Sequence, residues 1–129
     1  MTTAMTTGTT TGTTEDTAAT AAGGVLQLTD ADFDAVVRES GLPVLVEFTA
    51  DWCGPCRQMK PVLRAVAAEE ADRLRVAEID LDHNPETALR YGVLSAPTML
   101  LFRAGEPVRS LVGSRAKRRL LEDLADALD

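Results

Sequence analysis

Two cysteines three positions apart, Cys53 and Cys56, are the only thiols in a chain of 129 residues, and a single histidine, His83, accompanies them. Thiolates are nucleophiles and metal ligands, so the pair reads as redox chemistry or as part of a metal site. A closed zinc centre needs four nitrogen or sulfur donors, and two cysteines with one histidine fall short of that. A stapled secreted scaffold is excluded as well, because it requires several bridges between distant segments. Dithiol chemistry remains. Gly54-Pro55 lets the two sulfurs meet and stiffens the turn between them. A helix starting at this point stabilises a thiolate at Cys53 through its unpaired N–H groups and its dipole. Cys56, one turn deeper, can then attack a mixed disulfide formed at Cys53.

Hydrophobic periodicity supplies the elements that must position the pair. Residues 44–48, Val-Leu-Val-Glu-Phe, make a near-continuous apolar run broken by one acid, Glu47, as in a strand buried on both faces. After a turn at 50–55, Met59, Val62, Leu63, Val66 and Ala67 share one helical face, with Pro61 inside expected to bend the helix. The cysteines therefore fall where a buried strand hands over to a helix. Ahead of them, Val25–Leu28 reads as a strand, Thr29 and Asp32 as a weak capping box, and Phe33, Val36 and Val37 as a helix ended by Ser40-Gly41. Behind them come a strand at 74–79 and a short helix at 84–91, opened by Pro85 and closed by Gly92. A hairpin of 98–102 and 108–112 about Gly105 follows, then a last helix capped by Ser114, with Leu120, Leu121, Leu124 and Leu128 as its buried stripe. Helices between the early strands require crossovers, and the hairpin adds antiparallel pairing. The fold class is α/β, a central mixed sheet with helices on both faces.

With 45% apolar and 26% charged residues the chain suits one globular domain. Its net charge of −7 leaves no basic surplus for nucleic acid, and no apolar run approaches the roughly 20 residues that span a bilayer. Residues 1–24 hold eleven Thr, five Ala and four Gly but no Val, Ile, Leu or aromatic residue, so a solvated flexible arm is expected there and the domain at 25–129. The arm also lacks Lys, Arg and any apolar run, which argues against a secretory signal and for a cytoplasmic protein.

Trp52-Cys53-Gly54-Pro55-Cys56 after an apolar strand resembles the active site of the thioredoxin family in every letter. Further landmarks are similar in register: Val44-Leu45-Val46-Glu47-Phe48, Pro61, Asp80-Leu81-Asp82-His83-Asn84-Pro85, Tyr91-Gly92-Val93, Ala96-Pro97-Thr98 and Arg103-Ala104-Gly105-Glu106. The resemblance covers 25–129 and implies the thioredoxin fold. It implies a monomeric protein disulfide reductase without metal or organic cofactor, re-reduced by thioredoxin reductase at the expense of NADPH. In that reading Cys53 attacks and Cys56 resolves. Trp52, Gly54, Pro55, Gly92, Ala96, Pro97 and Gly113 line the groove for protein disulfide substrates, and the Ala96-Pro97 bond is cis. The alternative is a non-catalytic interaction subunit using the same groove, which the intact cysteines oppose as a sole role. Oxidant or isomerase relatives tend to differ at Gly54-Pro55.

Three positions depart from the family's bacterial pattern. Glu47 replaces a buried Asp, Thr49 an aromatic residue, and Glu78 a Lys that accompanies the buried acid. The resemblance implies that Glu47 is buried below the cysteines and exchanges the Cys56 proton through water. Desolvation should raise its pKa, with Glu78 pushing the same way once the cation is lost. His83 is expected as a solvated or capping loop residue, and Arg115, Lys117, Arg118 and Arg119 as a solvated helix face.

Overall fold

The computed structural model describes residues 24–128; apart from Gly24, the arm expected over 1–24 lies outside them. The apolar run becomes β2 (Val44–Thr49), buried along its whole length. It lies between β3 (Arg75–Asp80), to which it is parallel, and β4 (Thr98–Arg103), to which it is antiparallel. With β1 (Val25–Leu28) outside β3 and β5 (Glu106–Val112) outside β4, the sheet has five strands in the order β1-β3-β2-β4-β5. The mixed sheet follows expectation.

Side chains alternate across β2, so its two faces build two cores. Val44, Val46 and Phe48 join α1 (Phe33–Glu39) and α3 (Pro85–Arg90) through Phe33, Val37 and Ala88. Leu45, on the opposite face, packs with α2 (Gly54–Glu69) and α4 (Lys117–Leu128) through Met59, Leu63, Val66, Leu120 and Leu124. Helix α2 runs through Pro61 without a break. The hairpin turn places Ala104 and Gly105 at positive φ. A side chain at Gly105 would also meet Arg38, its Cβ within 3.2 Å of Arg38 Cγ.

Three expected boundaries are corrected. Helix α4 starts at Lys117, so Ser114 is not its cap. Residues 113–116 are held otherwise, with Gly113 at positive φ, the Arg115 amide on Met59 Sδ and the Arg115 guanidinium on the Val112 carbonyl. Strand β5 begins at Glu106 rather than 108, because a register irregularity at Leu101/Phe102 lets Pro107 pair with Phe102. At α1 only half of the capping box forms: Asp32 Oδ1 accepts from the Thr29 amide at 2.7 Å, while the helix has no side-chain N-cap bond. Among the described residues no helix is long and apolar enough to cross a membrane.

Candidate active site

The end of β2 and the start of α2 hold the cysteines as the sequence implies. Cys53 is the N-cap residue of α2, in extended conformation, and its Sγ accepts the Cys56 amide at 3.1 Å. Pro55 sits in the first turn, where its missing N–H costs nothing. The two residues are joined as a disulfide with Cα atoms 5.3 Å apart, so the chain is in its oxidised form. Both are buried, in a small apolar cluster with Ala50, against which Ala96 and Leu81 pack.

Around this cluster the expected groove residues are only partly united. Ala96 touches it, the Ala96-Pro97 bond is cis as expected, and the Pro97 carbonyl accepts the Gly113 amide at 2.9 Å. Trp52 is 64% exposed on the rim, its Nε1 donating to Asp82 Oδ2 at 2.7 Å. Gly92 lines a cleft of about 280 Å³ with Leu94, Ser95, Thr98 and Val112.

Near the end of β2, Glu47 is 0% exposed, and neither carboxylate oxygen has a hydrogen-bond partner. Burial first, then the neighbouring Glu78 charge, raises its pKa from 4.5 to about 7, against the pull of Lys60. Glu78 is its register partner on β3. The loss of a cation at position 78 is offset from elsewhere, because Lys60 of α2 reaches Glu78 Oε1 at 3.4 Å. Thr49, small where an aromatic residue was usual, lines a cleft of about 350 Å³ that also reaches Cys56, Lys60 and Glu78.

Three side chains around the site and its supporting loops were given no role from the sequence. Lys60 had a signal, since it stands four residues after Cys56 on the same helix. Asp82 stood within the Asp80-to-Pro85 landmark with nothing to mark its bond to Trp52, and Asp30 had no signal. Asp30 caps α3 from another loop, accepting the Thr87 amide at 2.9 Å and the Thr87 hydroxyl at 2.7 Å. Burial pushes its pKa up, but these bonds and one from the Glu86 amide outweigh it and hold the carboxyl below its ordinary value. His83 is a loop residue as expected, its amide and Nδ1 on Asp80 Oδ1. The basic residues at the start of α4 are ion-paired: Arg115 and Arg119 with Asp123, Lys117 with Glu69, and Arg118 with Glu122.

A cysteine disulfide at a helix N-terminus, packed against Ala96 of a cis-proline loop, fits the motif, and comparison with known proteins agrees on the family. The Thioredoxin family model matches residues 24–126. The chain belongs to the thioredoxin family. It is 48% identical to the thioredoxin of Mycobacterium tuberculosis over 103 residues, covering 80% of this chain and 89% of that one. It is 50% identical to the Mycolicibacterium smegmatis thioredoxin over 103 residues, 78% of this chain and 92% of the relative. A bifunctional thioredoxin reductase/thioredoxin of Mycobacterium leprae is 48% identical over 112 residues, of which the chain spans 24% of that protein's length. Family membership and the Cys53–Cys56 disulfide make this chain a protein-disulfide oxidoreductase that works by dithiol–disulfide exchange.

Proposed function

We propose that Cys53 is the attacking thiolate and Cys56 the resolving thiol, with Glu47 accepting the Cys56 proton. In the reduced protein the Cys53 thiolate attacks a target disulfide, forming a mixed disulfide and releasing one target thiolate. Cys56 gives its proton to Glu47, its sulfur bonds to Cys53 Sγ, and the second target thiolate leaves. The target gains two electrons and the dithiol becomes the disulfide. The observation carrying this assignment is the position of Cys53 Sγ at the N-terminus of α2, accepting the Cys56 amide, where the helix dipole and free N–H groups favour a thiolate.

Trp52, Gly54, Pro55, Ala96, Pro97 and Gly113 receive the target backbone in this reading, and Gly92 extends the surface. Thioredoxin reductase restores the dithiol, and the protein works as a cytoplasmic monomer. The domain comprises residues 25–129, and the Thr-rich segment before it is dispensable for exchange. NADPH-coupled reduction of insulin disulfides with a thioredoxin reductase tests the assignment. Cys53→Ser is expected to abolish turnover, and Cys56→Ser to attack once and accumulate a mixed disulfide on a non-reducing gel. Adducts that accumulate in Cys53→Ser instead would reverse the two roles.

A further inference from the structure

One polar row crosses the face of the sheet beneath α2. Gln27 of β1, Glu78 of β3 and Glu47 of β2 are register neighbours, and Met99 of β4 ends the row. Two carboxylates side by side on adjacent strands repel each other, and only the outer one has partners. Glu78 Oε1 accepts from Gln27 Nε2 at 2.8 Å and from Lys60 Nζ at 3.4 Å, whereas Glu47 has none. Lys60 follows Cys56 by one helical turn, and both line the same cleft with Gln27, Thr49, Glu78 and Asp80. A polar cleft of about 350 Å³ has room for water.

We infer that Lys60 is a positioning residue for proton transfer at Cys56: held by Glu78 in the wall of this cleft, its ammonium offsets the Glu78 charge and so favours the carboxylate form that Glu47 must have before it takes the Cys56 proton. The inference rests on the reading of Glu47 as the proton acceptor. A buried carboxyl with a second, unanswered carboxylate beside it stays protonated and cannot act as a base at neutral pH. Neutralising Glu78 brings it back into range. The other charged groups around the row are few. From α2, Arg57 and Arg64 stand at the edges of this cleft and of the adjoining one; from β3, Asp80 lines it, with Asp51 of the loop. The Asp80 carboxylate is occupied by the amides of Asp82 and His83. Strands β1 and β4 contribute neutral Gln27 and Met99, and α4 turns Leu120 and Leu124 to this layer. The proton passes from Cys56 Sγ to the Glu47 carboxylate, while the Cys56 sulfur forms its bond to Cys53, the bond from Cys53 to the target breaks and the target leaves as a thiolate.

Two measurements on the full chain test this. One is the carboxyl-carbon NMR titration of Glu47 in the oxidised protein. The other is the pH profile of target release from a mixed disulfide at Cys53, followed with a peptide disulfide whose leaving thiol is fluorescent. Lys60→Met is expected to raise the Glu47 midpoint by on the order of one pH unit, and to slow release at pH 7 by up to about tenfold. Glu78→Gln should move both the opposite way. The double variant should return near wild type, and Lys60→Arg should keep the wild-type profile. Side chains 41% and 13% exposed can be replaced here without opening the core. An unmoved profile in Lys60→Met, or shifts of one sign in both single variants, overturns the inference and leaves Glu47 as the acceptor. A pH limb that survives in Glu47→Gln overturns the acceptor assignment, and the inference with it.

Discussion

Strand β2 presents two different environments to its two sides. Toward α1 and α3 it offers Val44, Val46 and Phe48 to a mainly apolar layer. There the rings of Phe33, Tyr91 and Phe102 meet in a triangle with centroids 5.2 to 5.7 Å apart, two contacts edge-on as the ring quadrupoles favour. Toward α2 and α4 it offers Leu45 to an equally apolar layer, then Glu47 and Thr49 as the strand approaches the cysteines. One face is packed to its end. The other gives up packing over its last residues for an unpartnered carboxylate and a polar cleft beneath Cys56. Packing and polar groups are thus divided between the faces of one sheet, and the buried carboxylate of Glu47 works against folding at neutral pH.

The largest effect expected from this contrast is on the apolar face. Phe102→Ala removes a fully buried ring and should cost about 3 to 5 kcal/mol of unfolding free energy, measured by urea denaturation. Exchange per folded molecule should be unchanged. A fall in that rate would mean that the two faces are coupled.

On the polar face the sign is opposite. Below its unfolded value of 4.5 Glu47 is neutral in both states; between 4.5 and about 7 only the unfolded chain ionises, so stability falls as pH rises. Above the folded value the penalty is constant. Glu47→Gln should therefore be more stable than wild type by on the order of 3 kcal/mol at pH 9, with no gain at pH 4. Denaturation curves at pH 4, 7 and 9 check this, and equal curves at all three would show that Glu47 is not desolvated. The same variant should release targets from Cys53 more slowly.

Asp30→Ala tests how far the apolar face depends on a cap from outside its own helix. Loss of the bonds to Thr87 and Glu86 should cost about 1 to 2 kcal/mol, and amide exchange should speed first in α3. The smallest effect on stability is expected at the rim. Asp82→Ala frees the exposed Trp52 indole and should change unfolding free energy by less than about 1 kcal/mol, while raising the KM for insulin. An unchanged KM would leave Trp52 no part in receiving the target.

Much of this was legible in the chain because it is local. Apolar periodicity placed β2 and α2, and Pro55 with the cysteine spacing marked the helix start. The boundaries that went astray lie where contacts from a distance hold the backbone, as Met59 Sδ and Asp123 hold Arg115 ahead of α4. The capping box at Thr29 shows the same limit. Asp32 does bond back to Thr29, yet the decisive carboxylate nearby, Asp30, turns to a helix more than fifty residues further on.

The sequence by itself determined the dithiol, its seat between a buried strand and a helix N-terminus, and the acid in that strand, since each depends on residues within a turn or two of one another. Only the tertiary structure decided what surrounds that acid. The register of three parallel strands sets Gln27, Glu78 and Glu47 in one row, the lie of α2 across the sheet brings Lys60 to Glu78, and a loop thirty residues away holds Trp52 through Asp82. The charge felt by a buried group is a sum over neighbours in space, and which neighbours those are is settled when the sheet closes and its helices pack.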